Sequence, residues 1–294
     1  FHSLQHAPDK EPQLEPGVSE GTWLRNSALG AASSWLATLL TFPVHKTIFR
    51  QQIHGFVIRQ AVSQLYQEGL LQFYRGILPP LLSKTIQGTL LYGSYDSLMP
   101  VLFPQEPVSY QRSTAGCLAG AIEALVLTPF ERIQNVLQDH RKVAKLPHVQ
   151  SILKEFYSYG LKGSLQLGYY RGFLPVLLRN STGSALYFTF KDPIKNSLSD
   201  QGLPVGISAF VSGSVNGVAI CLALYPLSVL VANVQSQVGA GTQSLRTSAQ
   251  NLWASRSGKL LYVYRGSSLI VLRSCLSWGI TTAIYELLRG GNNH

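Results

Sequence analysis

One pattern occurs three times along this chain, and a triple repeat demands three copies of one structural unit. The copies are TFPVHKTIFRQQ (41–52), TPFERIQNVLQ (128–138) and YPLSVLVANVQ (225–235). A glutamine stands nine residues after each proline: Pro43 and Gln52, Pro129 and Gln138, Pro226 and Gln235. Thirteen and nine residues before each proline stand small residues: Gly30 and Ser34, Gly116 and Gly120, Gly213 and Gly217. That spacing opens gaps on one helix face where a neighbouring backbone can approach. An Arg-Gly pair follows each block, at 75–76, 171–172 and 265–266. After each pair comes an apolar span of roughly 20 residues, the length of one membrane crossing. Chance likeness among Gly- and Pro-rich helices explains one shared motif, but not four landmarks in one order three times.

Each repeat thus reads as two long helices joined by a segment with a short amphipathic helix. VIRQAVSQLYQ (57–67) and SILKEFYSYG (151–160) are two such segments. Charged residues make up only 13% of the chain, about half the share in a soluble domain. None occurs from Asn26 to Val44, or from Gln201 to Leu245. We therefore expect an all-α membrane protein with six transmembrane helices in three pseudo-symmetric two-helix repeats. The expected boundaries are a polar tail at 1–21 and repeats at 22–103, 104–202 and 203–290. Residues 1–20 are polar and acidic and carry no cleavable signal pattern. Cys117, Cys221 and Cys275 all fall in apolar stretches and imply neither a disulfide nor zinc. The seven histidines include no metal spacing and no nucleotide-binding glycine loop occurs, so we expect no enzyme, no cofactor, no metal and no nucleic-acid partner.

Charge sets the orientation. The segments joining the two spans of each repeat (44–76, 138–172, 235–266) together carry +11. The termini and inter-repeat links (1–24, 96–113, 191–204, 285–294) carry −4. Such an excess of Lys and Arg fixes which face stays on the positive side of a membrane. Both termini then lie on the opposite face.

With the repeats in hand, the chain resembles the mitochondrial carrier family over about residues 22–290. That family repeats Pro-x-acid-x-x-base-x-base-x-Gln, followed by acid-Gly-x4-aromatic-base-Gly. YRGILPPLLSKT (74–85), TPFERIQNVLQDH (128–140), YRGFLPVLLRN (170–180) and LRSCLSWGITTAIYE (272–286) are most similar to its triple-repeat subgroup, which includes the mitochondrial NAD carriers. The resemblance implies an inner-membrane location, both termini toward the intermembrane space, and short helices on the matrix side. It also implies a cavity on a pseudo-threefold axis, with gates on either side of a central site. We expect a monomer that binds cardiolipin on its basic face, near Arg75, Arg171 and Arg265, as basic matrix-side pockets do.

A charge at mid-membrane costs several kcal/mol, so each one needs a reason. Arg179 and Arg273 stand seven residues after the glycine of their Arg-Gly pairs; Ser83 and then Lys84 hold that level in the first repeat. The resemblance makes this the substrate level, ringed by Ser83, Lys84, Arg179, Asn180, Arg273 and Ser274. Arginine offers a bidentate fork and lysine a mobile point charge, both suited to phosphates or carboxylates. The bland reading is pairing with buried acids, and only Glu123 and Glu131 are at hand. Glu123 could accept from a ribose or amide, face a cationic nicotinamide ring, or tether one of the arginines.

The gates depart from the family pattern. The matrix gate holds Pro43, Gln52, Pro129, Glu131, Gln138, Pro226 and Gln235. Its acid positions read His45, Glu131 and Ser228, and its base positions Ile48, Gln134 and Val231. Paired in cyclic order, these make no salt bridge, which predicts a balance leaning toward the matrix-open state. The cytoplasmic gate holds Asp96, Asp192, Lys195, Glu286 and Arg289, with Met99 at the first base position. Asp96–Lys195 and Asp192–Arg289 are the expected pairs. The functional expectation is a carrier for an anionic, nucleotide-like solute, with NAD the leading choice. Another nucleotide or a carboxylate is the first alternative, and a non-transporting carrier-fold adaptor the second.

Overall fold

The computed structural model describes residues 20–69, 74, 76–103, 108–142, 145–239, 244–273 and 276. All secondary structure among them is helical. Helix α1 (Glu20–His54) leads to a short α2 (Ile58–Gln67) and then to α3 (Leu78–Leu102). The order recurs with α4 (Ser109–Gln138), α5 (Val149–Tyr157) and α6 (Phe173–Asp200). In the third pass the first helix is broken into α7 (Val205–Ala223) and α8 (Tyr225–Ser236). Helix α9 (Leu245–Ser255) follows, and residues 267–273 are helical again.

The long helices differ in how they meet the crossing criterion. Among the described residues, α4 alone is long and apolar enough by itself, with a mean hydropathy of 1.4 over its best window. Helices α7 and α8 pass together, bent by 63° at the break. The break falls just before Pro226, whose ring removes a backbone hydrogen bond. Helices α1 and α4 run on through Pro43 and Pro129. Helices α3 and α6 are long enough at 25 and 28 residues. Each gives one face to polar residues, Ser83 and Gln87 on α3, Arg179 and Asn180 on α6, which lowers its mean hydropathy. The opposite surface is greasy: Leu118, Ile122, Leu125 and Val126 form an exposed stripe along α4. Ala115, Ala119 and Ala124 on the same helix are buried.

Three glycines close the ring. Gly76, Gly172 and Gly266 all adopt positive φ, at 83°, 78° and 99°, where a Cβ is strained. Each also presses on the proline-block helix of the following repeat. A Cβ on Gly76 would lie 3.0 Å from Leu137 Cβ, and one on Gly172 3.1 Å from Gln235 Cγ. One on Gly266 would lie 3.1 Å from Gln51 Oε1, back in the first repeat. The contacts thus run from the first repeat to the second, the second to the third, and the third to the first.

The small-residue gaps are used unequally. A Cβ on Gly120 would come 2.5 Å from Asn180 O, and one on Gly116 2.8 Å from Ser184 O, both backbone atoms of α6. At Gly213 the nearest atom is Tyr187 Oη at 3.5 Å, and Gly217 has nothing within 4 Å. Gly120→Ala is therefore expected to destabilise the protein by about 1–3 kcal/mol through overpacking, and Gly213→Ala by much less. Thermal unfolding of the two purified variants checks this. Equal midpoints would refute the α4–α6 assignment.

A polar cavity between the helices

A cavity of about 560 Å³ lies between the long helices, within the range of small-molecule sites. Its charged lining comes from two helices of the second repeat and one of the third: Glu123 and Glu131 from α4, Arg179 from α6, and Arg273 beyond Gly266. Ser83 and Gln87 of α3, Asn180 and Tyr187 of α6, and Cys221 of α7 add to the polar wall. Five expected site residues that the structure describes in full, Ser83, Glu123, Arg179, Asn180 and Arg273, thus meet in one space. Lys84 lies in α3, and its side chain falls outside the described residues, as does Ser274.

The charges are not equally occupied. Glu131 receives Arg179 bidentately, Nη1 donating to Oε1 at 2.8 Å and Nη2 to Oε2 at 2.9 Å. Arg179 Nε donates to Asn180 Oδ1 at 3.0 Å. Glu123 is buried and accepts from Gln87 Nε2 at 2.6 Å, so its partner is an amide rather than either arginine. Arg273 makes no ion pair among the described residues, and its buried Nε has no hydrogen-bond partner. Of the two described guanidiniums, one is spoken for and one is open.

The end of the cavity bearing the connecting helices is packed shut without a salt bridge between the gate positions. His45 Nε2 and Gln134 Nε2 meet at 2.8 Å. Asn135 Nδ2 donates to Gln235 Oε1 at 2.6 Å, and Asn233 Nδ2 to Gln52 O at 3.0 Å. Val231 is buried in an apolar cluster with Ala124 and Val176, and Ile48 is buried as well. Burying such a side chain contributes about 1.5–3 kcal/mol, whereas an exposed ion pair contributes ~0–1 kcal/mol. In this conformation packing and neutral hydrogen bonds hold the gate positions in place of charges. Gln138 is buried with neither amide atom hydrogen-bonded: the brace is present, but its repeat offers it no ion pair.

Arginines other than those of the gate's acid and base positions reinforce this end. Arg132 is fully buried; its Nε donates to Gly168 O at 3.0 Å and its Nη2 to Gln237 O at 2.6 Å. Its guanidinium lies 5.0 Å from the Phe156 ring centroid. Arg171 Nη2 donates to Gln237 Oε1 at 2.7 Å, and Arg256 Nη2 to Gln52 O at 2.6 Å. Burial pulls the Arg171 and Arg256 guanidiniums below their usual range. The sequence reading named Arg171 only as a lipid contact and did not single out Arg132 or Arg256. The signal for Arg132 was a base at one position of the first two blocks, Lys46 and Arg132. Gln87 was also missed, although it stands four residues after Ser83 and so on the same helix face.

At the opposite end, only the first of the two expected pairs falls wholly among the described residues. Among the described residues Asp96 and Lys195 make no ion pair, and Asp192 pairs with Arg112 of α4, Nη1 to Oδ2 at 3.3 Å. Arg112 lies on the neighbouring helix and reaches Asp192 without any closure of that end. Glu286 and Arg289 lie outside the described residues.

Three helical repeats, linked in order through Gly76, Gly172 and Gly266, thus pack about a charged polar cavity. The chain belongs to the mitochondrial carrier family: residues 19–106 and 105–202 each match the family described as mitochondrial carrier protein. It is 56% identical over 292 residues to human solute carrier family 25 member 53, covering 97% of this chain and 94% of that protein. It is 36% identical over 280 residues to the mouse mitochondrial nicotinamide adenine dinucleotide transporter SLC25A51, covering 94% and 92%. Human SLC25A52, which bears the same transporter description, is 33% identical over 279 residues, covering 94% and 92%.

Proposed function

We propose that this chain is a six-span carrier of the mitochondrial inner membrane that moves an anionic, nucleotide-like solute, NAD first among them. Its boundaries are those of the three sequence repeats, its termini face the intermembrane space, and it works as a monomer by alternating access. The observation that carries this reading is Arg273, a cavity guanidinium without an acid among the described residues. A charge in that setting is a binding group by default. NAD is favoured because relatives over nearly the whole chain are named as its transporters. The cavity also suits a ligand of mixed charge. A diphosphate would meet the arginines, and the cationic nicotinamide ring would meet Glu123. Ser83, Lys84, Asn180 and Ser274 complete the site in this reading. A folded adaptor without transport is the second reading, and the gate without ion pairs is the observation in its favour.

Thermal stabilisation of the purified protein is the direct test of cargo class. NAD should raise the unfolding midpoint more than a monocarboxylate at equal concentration. Equal shifts, or none with any nucleotide, would remove the nucleotide reading.

Cardiolipin is the expected lipid partner. Two clefts occupy equivalent places at the basic end: one beside Tyr74, Gly76 and Ile77, the other beside Tyr170, Arg171 and Gly172. Each lies at the start of a long helix, α3 or α6, directly after an Arg-Gly pair of the basic end, and basic matrix-side pockets suit that lipid. Cardiolipin should therefore stabilise the purified protein more than phosphatidylcholine does. Equal stabilisation by the two lipids would count against these sites.

A further inference from the structure

We propose that Glu131 is an internal counter-anion that holds Arg179 in place of the substrate, so that a ligand binds only by displacing a carboxylate. The inference rests on the reading that this cavity takes an anionic solute. Glu131 occupies the acid position of the gate motif. The cyclic partner of that position is Val231, which is buried among Ala124 and Val176 and offers no charge. Glu131 has turned instead to Arg179, one repeat element away on α6.

The geometry fills Arg179. Two of its nitrogens face the Glu131 oxygens at 2.8 and 2.9 Å, and the third faces Asn180 at 3.0 Å. That fork is the surface with which arginine grips a carboxylate or phosphate. Arg273 differs, because its Nε has no partner. The pair remains within reach of solutes, with 22% and 25% of the two side chains exposed. An entering anion thus finds Arg273 without a described partner but must compete with Glu131 for Arg179.

The competition selects by charge. A monocarboxylate brings the same fork and the same single charge as Glu131, and it also loses its translational freedom on binding. It has nothing with which to displace the internal acid. A diphosphate brings more charge and can bridge both arginines. Glu131 is therefore a specificity residue, and it favours phosphate-bearing solutes over monocarboxylates.

Arginine-selective modification by phenylglyoxal, mapped by mass spectrometry on the full-length purified protein, tests this. In the wild type, Arg273 should react at least about fivefold faster than Arg179, which is shielded by two charge-assisted bonds. In Glu131→Gln the two rates should come within about twofold. Inorganic pyrophosphate should protect both arginines in the wild type, whereas acetate should protect Arg179 only in the variant. Equal rates in the wild type, an unchanged ratio in Glu131→Gln, or wild-type protection by acetate as good as by pyrophosphate would overturn the proposal. Should Glu131→Gln fail to fold, Glu131→Asp, one methylene short of the fork, must still raise Arg179 reactivity, and no rise overturns it too. If the pattern holds but NAD protects neither arginine, the nucleotide reading falls and the internal pairing stands.

Discussion

Replacing Arg273 by alanine is expected to cut ligand-dependent transport by about ten- to a hundredfold, with a thermal midpoint equal to that of the wild type or above it. The two halves of that result have one cause. Arg273 has no acid among the described residues and its Nε is unbonded, so deleting it breaks no internal pair and removes a buried charge. Ligand affinity bears the whole cost. Arg179→Ala differs, because Glu131 then loses both of its bonds and a partly buried carboxylate is left alone. That variant should lose transport and stability together. Uptake and unfolding measured on both variants separate the roles. Arg273→Ala protein that transports like the wild type would sink the site assignment.

The largest loss of stability is expected from Arg132→Met, a change of charge and hydrogen bonding at similar length. Arg132 is fully buried and ties Gly168 O to Gln237 O, so it joins the second repeat to the third. Removing it leaves buried carbonyls unsatisfied, each at about 1–3 kcal/mol, and adds the loss of the Phe156 ring contact. We expect about 3–5 kcal/mol in all, or roughly 10 °C in the unfolding midpoint at this chain length. A variant within a degree of the wild type would show that these bonds do not hold the repeats together.

The repeat architecture was legible because its landmarks are backbone constraints. A glycine at positive φ pressed against a neighbouring helix, as at Gly76, Gly172 and Gly266, tolerates no other residue, so the sequence displays it three times. The level of Arg179 and Arg273 was legible for the same reason, by counting from those glycines. Pairing was not. Whether Arg179 meets Glu131 or Glu123 depends on how α4 and α6 face each other, and the close approach at Gly120 decides that. The packing of the gate was less legible than its charges, because charges are conspicuous in a sequence and packing is not. Ile48 and Val231 read as lost bases, yet in the fold they are buried contacts at the same positions. The arginine-to-carbonyl bonds were invisible because a backbone carbonyl has no letter of its own.

Transport of a nucleotide-like anion through the cavity holding Arg273 is the activity on which the proposed function stands. Uptake of labelled NAD into proteoliposomes bearing the wild type or Arg273→Ala measures it directly. Saturable uptake by the wild type, lost in the variant although both are folded and inserted, is the predicted result. Folded, inserted wild-type protein that moves neither NAD nor any other nucleotide would contradict it.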